Sequence, residues 1–142
     1  MKPGQQALQY RGQYLPVTDI LYFTSGAGIV PVVDQVRAVL PPGSSSVKGA
    51  SVVWINKNEK DFDVAMTTLE SEYSKYNTKL AVSCIIDDAR MNELGTNKDI
   101  NDAVPSFRPG TMAVISGPSD FCAKAKKYLT GRGYQEECIC IL

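Results

Sequence analysis

The sequence has 142 residues, a length that suits one domain with a single hydrophobic core. Fifteen Lys and Arg residues balance fifteen Asp and Glu residues, so the chain lacks the positive field on which non-specific nucleic-acid binding depends. Hydrophobic residues make up 44% and charged residues 21%, which excludes a wholly disordered chain. No apolar run approaches the roughly 20 residues that span a bilayer. The sequence therefore predicts neither a nucleic-acid-binding protein nor an integral membrane protein.

Histidine and cysteine usage narrows the chemistry further. Histidine is absent, which excludes Ser-His-Asp triads and His-containing zinc sites in their usual forms. The four cysteines form no C-x-x-C pair, so we expect reduced, mostly buried thiols and no metal site; they are Cys84, Cys122, Cys138 and Cys140. Cys138 and Cys140 are expected on one face of a strand. Residues 1–6 lack the apolar core of a secretory signal, which favours an intracellular, cytoplasmic protein and leaves an organelle open.

Apolar and amphipathic segments alternate along the chain. The predicted strands cover residues 19–23, 50–56, 79–86, 110–116 and 137–141. The predicted helices cover residues 29–40, 61–76, 100–104 and 119–130. Apolar strands separated by helices predict an α/β fold, a three-layer α/β/α domain with a largely parallel five-stranded, Rossmann-like sheet. The nearly continuous apolar character of 79–86 predicts a strand that is covered on both faces.

A glycine-containing turn follows the first predicted strand. It reads Thr24-Ser25-Gly26-Ala27-Gly28 and leads into a helix that begins at Ile29 and carries Pro31 in its first turn. Glycines let backbone amides approach a ligand closely, and a helix start adds free donors and partial positive charge, so a phosphate or pyrophosphate is the predicted guest. The third glycine of the usual dinucleotide fingerprint is missing, because Pro31 occupies its place. A tight turn without a ligand is the alternative interpretation.

A second glycine turn, Ser116-Gly117-Pro118-Ser119, follows the fourth predicted strand. Ser119 is expected to cap the next helix, and Asp120 suits its positive N-terminal end. In a parallel sheet both turns lie at the carboxyl edge, where ligands of such sheets bind. Trp54, inside the second strand, is expected in the core.

These segments resemble the pyridine-nucleotide-binding half of the ferredoxin–NADP reductase superfamily, in particular NADH–cytochrome b5 reductase and the reductase part of nitrate reductase. The resemblance covers essentially the whole chain and rests on these segments in order: Pro3-Gly4, Tyr10-Arg11-Gly12, Gly26 to Pro31 followed by Arg37, Asn56 to Asp61, Ser116 to Ser119, and Gly133-Tyr134. It implies that residues 1–18 are a linker with a remnant of the last flavin-domain strand, and that residues 19–142 are an NAD(P)-binding domain.

The resemblance also implies a cofactor and its place. NADH or NADPH would lie across the carboxyl edge, with its pyrophosphate on Thr24 to Gly28, Ile29 and Pro31. The adenine ribose would lie near Lys57 and Asp87, and the nicotinamide near Ser116, Gly117 and Pro118, with Ser116 positioning it. In that family hydride passes to FAD on a preceding barrel domain, and onward to acceptors such as haem or iron–sulfur proteins.

Several positions depart from the family pattern. Ala27 and Val30 replace threonines, Ser116 replaces a cysteine, and a flavin barrel does not fit within 142 residues, so this chain alone is not expected to reduce a substrate. One alternative is therefore a non-catalytic regulatory or interaction module with the reductase fold. A binder of phosphate sugars or mononucleotides that uses the first turn is another. Asp87-Asp88 slightly favours NADH over NADPH, although these residues could equally be a solvated strand end. For Lys57, the alternative to a contact with the nucleotide is a solvated side chain.

Overall fold

A computed structural model of the protein describes residues 7–10, 13–41, 43, 46–89 and 92–142. The strands along these residues are β1 (Ala7–Tyr10), β2 (Gln13–Pro16), β3 (Asp19–Ser25), β4 (Gly49–Asn56), β5 (Leu80–Ile86), β6 (Thr111–Ser116) and β7 (Ile139–Ile141). The α-helices are α1 (Ile29–Val39), α2 (Met66–Lys75), α3 (Lys98–Ala103) and α4 (Ser119–Gly131). Short 3-10 helices cover Gly26–Gly28, Glu59–Val64, Leu94–Thr96 and Glu136–Cys138. None of these helices has the length and apolar character needed to cross a membrane.

Five parallel strands form the central sheet in the order β5-β4-β3-β6-β7. The strand order reverses between β3 and β6, which makes their carboxyl ends the topological switch point of the sheet. β3 and β6 are buried along nearly their whole length because neighbouring strands and helices cover them. The predicted parallel α/β sheet of five strands is confirmed.

Successive residues of the central strands point to opposite faces of the sheet and build two cores. Tyr22 and Trp54 belong to the face that α1 and α2 cover, together with Val36 and Leu69. The opposite face is covered by α3 and α4 and includes Phe23, which stacks at 5.7 Å between ring centroids on Phe121 of α4. Trp54 is fully buried, as predicted.

The helix predicted from Asp61 begins five residues later, at Met66. Residues Glu59–Val64 form a 3-10 helix whose start is closed by a capping box between Asn58 and Asp61. Ala65 breaks the run with φ −144°. Within α2, Glu72 lies in the core, whereas Tyr73 is 43% exposed.

Glu72 is buried with a charged partner on α1. The Arg37 Nε atom donates to Glu72 Oε1 at 2.9 Å, and Lys75 Nζ lies 3.7 Å from the same oxygen. A buried carboxylate needs such compensation because burial removes its hydration. Arg37, which the family resemblance singled out, therefore joins α1 to α2.

The prediction that 79–86 is covered on both faces is wrong. β5 is an edge strand in which Leu80 and Ile85 alone are buried, and Ile86 is 57% exposed. An edge strand has a neighbour on one side only, so an apolar sequence does not guarantee burial. The last strand is likewise shorter than predicted, since Glu136–Cys138 is helical and β7 begins at Ile139.

The cysteines are all free, and their burial only partly follows the prediction. Cys122 and Cys138 are buried, Cys140 is half-buried and Cys84 is exposed on the edge strand. Cys138 and Cys140 contact the same core, although Cys138 immediately precedes the strand and does not belong to it.

The segment before β3 contains an antiparallel pair, in which β1 residues Ala7–Tyr10 face β2 residues Gln13–Pro16. The linker and strand remnant predicted for residues 1–18 remain a prediction. Pro3-Gly4 and Arg11-Gly12 of the family resemblance lie outside the described residues.

Candidate functional site

The two glycine turns meet at the switch point of the sheet. Thr24 at the end of β3 is paired in register with Ser116 at the end of β6. The Thr24 hydroxyl donates to the Ser116 carbonyl at 2.8 Å, and both residues are buried. The Thr24 hydroxyl is therefore used to join the turns. Its contribution to a ligand site is structural.

Gly28 allows the closest approach between the turns. A Cβ atom at Gly28 would lie 2.6 Å from the Ser116 carbonyl oxygen and 2.8 Å from the Gly117 nitrogen. Real Cβ atoms do not come that close to backbone, so only glycine fits unless one turn moves. The helix start at Ile29 is consequently held directly against the second turn.

Two side chains of β4 form hydrogen bonds with the first glycine turn. The Gly26 N–H donates to Asn56 Oδ1 at 3.1 Å, and Trp54 Nε1 donates to the Gly26 carbonyl at 3.0 Å. Gly26 has φ +60°, a conformation that residues with a side chain adopt at a cost. The predicted loop conformation is thus fixed by two groups of the neighbouring strand.

Asn56 also carries a buried donor without a partner. Its Nδ2 atom makes no hydrogen bond in the structure, although Oδ1 accepts from Gly26. An unsatisfied buried donor costs about 1–3 kcal/mol, so structures retain one mainly where a function needs it. Sequence reasoning did not single out Asn56 as a site residue; its position at the carboxyl end of a central strand was the available signal.

The exposed part of the site is formed by the loop itself. Ala27 and Val30 are exposed at the start of α1, whereas Ile29 is fully buried and anchors the helix. Pro31 has no N–H group, but the first N–H groups of a helix have no partner within the helix, so no hydrogen bond of α1 is lost. Ser25 is half-buried at the end of β3. The N-terminus of α1 therefore lies beside exposed residues, while the Gly26 N–H is bonded to Asn56.

The second turn is closed by the helix that follows it. Ser119 is the first residue of α4 and does not cap it; the N-cap position is Pro118, and Asp120 accepts from the Phe121 N–H at 2.9 Å. Inside, the Cys122 thiol donates to the Gly117 carbonyl at 3.4 Å. Burial, and secondarily the Asp120 carboxylate, raise the pKa of Cys122, so this thiol stays protonated and serves packing. Pro118 is exposed at the edge.

Lys57 and Asp87 lie at the same edge of the sheet, after β4 and β5. Both Asp87 oxygens accept hydrogen bonds, from Asn92 Nδ2 at 2.8 Å and from Asn97 Nδ2 at 3.0 Å. Lys57 Nζ lies 3.6 Å from Asp88 Oδ2. The Asp87 carboxylate therefore anchors the following segment, and Lys57 has an ion partner in place of full solvation.

A cavity of about 260 Å³ lies at the opposite, amino edge of the sheet. Asp19, Gly49, Lys79 and Arg108 are among the residues that line it. Parallel α/β sheets bind their ligands beyond the carboxyl ends of the strands. The candidate site is therefore the pair of glycine turns.

Comparison with solved structures finds the same fold in parts of several proteins. The chain superposes with a TM-score of 0.74 and 17% identity on the cytochrome b5 reductase domain of Ulva prolifera nitrate reductase, covering 92% of this chain and 52% of that one. The CS-b5R domains of human Ncb5or, in an NAD+ form, match with a TM-score of 0.60 and 17% identity over 88% of this chain and 36% of that one. Flavohemoglobin from Malassezia yamatoensis, with bound FAD and heme, matches with a TM-score of 0.64 and 14% identity over 88% and 31%.

These matches establish the fold. The chain shares its fold with parts of these reductase structures, so the predicted resemblance is confirmed at the level of the fold. No protein-family model and no curated protein matches the sequence. The chain spans about half the length of the nitrate reductase domain and about a third of the other two chains.

Proposed function

We propose that this chain binds NAD(P)H at the two glycine turns and is the nucleotide-binding part of a flavin-dependent oxidoreductase. The observation that carries the proposal is the junction at the switch point, where Gly28 rests against the backbone of Ser116 and Gly117. That junction brings a helix N-terminus and a second turn to one edge, as an extended dinucleotide requires.

The residues present fit a pyrophosphate on the first turn. The Gly26 N–H is already bonded to Asn56 Oδ1, so the donors of this turn are the amides of Ala27, Gly28 and the start of α1, whose partial positive charge suits an anion. Asn56 below the loop holds an unpaired buried donor. Lys57, ion-paired with Asp88, is assigned to the adenine ribose. Asp87 acts there indirectly, through the Asn92 and Asn97 side chains that it holds.

The nicotinamide end is assigned to the second turn. Ser116 and Gly117 end β6 beside the first turn, and Pro118 stands exposed at the edge. When bound, NAD(P)H supplies a hydride. The residues of this chain bind and orient the dinucleotide; FAD belongs to a separate or preceding domain, with haem or iron–sulfur proteins as acceptors. The greater length of the structural neighbours supports such a second domain.

A non-catalytic module with the same fold is the second candidate. The exposed positions Ala27 and Val30 carry no hydroxyl groups, and the Asp87 carboxylate is engaged within the chain. Both observations reduce the number of side chains that could hold a nucleotide. This candidate predicts that the chain does not bind NADH or NADPH at all.

The two candidates are separated by Ala27→Asp, with Ala123→Asp as the matched control. Ala27 is exposed at the proposed pyrophosphate site, and Ala123 is exposed on α4, so each change adds one carboxylate at an exposed alanine. A negative charge near a helix N-terminus does not harm stability. At about 5 Å from a phosphate, however, it opposes binding by about 1.4–3 kcal/mol, or about tenfold or more in affinity.

NADH and NADPH are titrated by calorimetry against the unmodified chain and both variants. We expect saturable binding to the unmodified chain and to Ala123→Asp, and at least about tenfold weaker binding to Ala27→Asp. The proposal is overturned if the unmodified chain shows no saturable binding at millimolar nucleotide. It is also overturned if Ala27→Asp binds like the control.

A further inference from the structure

The outer edge of β5 presents unpaired backbone groups. Within the described residues, β5 pairs with β4 alone. The Ala50 N–H donates to the Lys79 carbonyl at 2.7 Å, and the Asp87 N–H donates to the Asn56 carbonyl at 2.9 Å. Because backbone direction alternates along a strand, the odd-numbered residues of β5 bond to β4. The even-numbered residues therefore point their N–H and C=O groups outward.

The side chains of this edge do not protect it. All seven residues from Leu80 to Ile86 are uncharged, and Cys84 and Ile86 are exposed. Natural edge strands are usually shielded by lysine, proline, a bulge or a covering segment, since a long apolar edge is a template for another strand. On one face, a groove beside Val82 is lined by Met66 and the half-exposed Tyr73 of α2.

We propose that a second copy of this chain pairs with β5, antiparallel, about a twofold axis at Ser83, to form one continuous sheet through both copies. In this register Val82 lies opposite Cys84 of the second copy, and Leu80 lies opposite Ile86. The backbone N–H and C=O groups of these four residues point away from β4. Val82 and Cys84 of the second copy therefore exchange two hydrogen bonds, and the Ile86 N–H donates to the Leu80 carbonyl of the second copy. The Leu80 N–H is already satisfied by the Tyr76 carbonyl at 2.7 Å.

Charge complementarity selects this register over its neighbours. With the axis at Ser83, Lys79 before the strand lies opposite Asp87 after the strand in the second copy, at both ends of the join. A twofold axis at Val82 or Cys84 also brings outward backbone groups opposite one another. It shortens the paired segment, however, and Lys79 no longer lies opposite Asp87. The Asp87 carboxylate already accepts from Asn92 and Asn97, but both partners are neutral amides, so Lys79 supplies the opposite charge. Opposite charges across an antiparallel pair are favourable, so the segment from Lys79 to Asp87 is self-complementary.

One charged group opposes the association. Glu70 lies in the groove with Met66 and Tyr73, close enough to Cys84 that its carboxylate, after burial, raises the pKa of that thiol. A twofold axis perpendicular to the sheet places both copies of α2 on the same face, which covers the groove and brings two Glu70 carboxylates together. Glu70→Gln is expected to lower the dimer dissociation constant by about twofold.

Sedimentation equilibrium on the full chain tests the association. We expect a concentration-dependent species of twice the 15.5 kDa chain mass. Cys84→Lys puts a charge on the exposed edge and is expected to raise the dissociation constant about tenfold or more. Ala123→Lys adds the same charge on exposed α4 and leaves it unchanged. A chain that stays monomeric at high micromolar concentration, or an unaffected Cys84→Lys variant, overturns the proposal.

Disulfide trapping tests the register. In this register Ser83 lies opposite Ser83 of the second copy, in a pair that is not hydrogen-bonded. The Cα atoms of such a pair lie about 4.5 Å apart, within the range of about 4.4–6.8 Å that a disulfide spans. Ser83→Cys in a Cys84→Ala background is expected to form a covalent dimer under mild oxidation. The unmodified chain, whose Cys84 is offset by two residues from its copy, is expected to remain uncrosslinked. Crosslinking through Cys84 in place of position 83 overturns the proposed register.

Discussion

Gly28→Ala probes the contact on which the candidate site depends. The added Cβ atom would lie 2.6 Å from the Ser116 carbonyl oxygen, 2.7 Å from the carbonyl carbon and 2.8 Å from the Gly117 nitrogen. All three are backbone atoms, so no side-chain rotation relieves the contact, and one turn must move until the shortest distance reaches at least 3.4 Å. Overpacking of this kind costs about 1–3 kcal/mol, and lower entropy of the unfolded chain returns about 0.4–1 kcal/mol. We expect a net loss of about 1–2 kcal/mol.

Urea denaturation followed by Trp54 fluorescence measures this loss, because the single tryptophan is buried beside the first turn. Gly131→Ala is the matched control, since a Cβ atom there meets nothing within 4 Å at the end of α4. The control is expected to leave stability unchanged or to raise it by up to about 1 kcal/mol. NADH affinity of Gly28→Ala is expected to fall about tenfold, because the turns separate. An unfolding midpoint equal to that of the unmodified chain or of the control would refute the reasoning.

Three further predictions follow from the contacts. Asn56→Leu removes the acceptor of the Gly26 N–H and is expected to cost about 1–3 kcal/mol in urea unfolding; an unchanged unfolding midpoint would contradict a role for that bond. Arg37→Met removes the cation beside the buried Glu72 carboxylate and is expected to lower the free energy of unfolding by about 1–3 kcal/mol. Adding Glu72→Gln to that variant is expected to recover part of the lost stability. If it recovers none, the loss is not a charge effect. Burial raises the pKa of Tyr134 to about 12. Because only the unfolded tyrosine ionises between about pH 10 and 12, the free energy of unfolding is expected to fall as the pH rises through that range. Tyr134→Phe, followed by circular dichroism, should lose less stability over the same range.

The family resemblance and the structure agree most closely where the signal is local. Thr24 to Gly28 and Ser116 to Ser119 were predicted as turns between a strand and a helix, and both lie at the carboxyl edge of the sheet. Glycine and proline punctuate a chain through their own backbone preferences, which neighbouring strands change little. Their assignment to a pyrophosphate and a nicotinamide remains a prediction.

The site residues that sequence reasoning missed act across the sheet. Asn56 and Trp54 were assigned to a buried strand, but their side chains hold Gly26, which is about thirty residues earlier in the chain. Asp87 was assigned to a ribose, and the structure shows its oxygens bonded to Asn92 and Asn97. No periodicity records which side chain on one strand reaches the turn after another.

The amino-acid sequence alone determined the order of the central strands and helices, the parallel α/β class and the position of both glycine turns, because apolar periodicity and turn residues act over a few neighbouring positions. The tertiary structure alone decided that Leu80–Ile86 is an exposed edge, that α2 begins at Met66 with Glu72 inward, and that Gly28 rests on Ser116. Burial and close contact depend on which segments become neighbours in space. That choice is made by packing of the whole chain, over separations that local patterns do not encode.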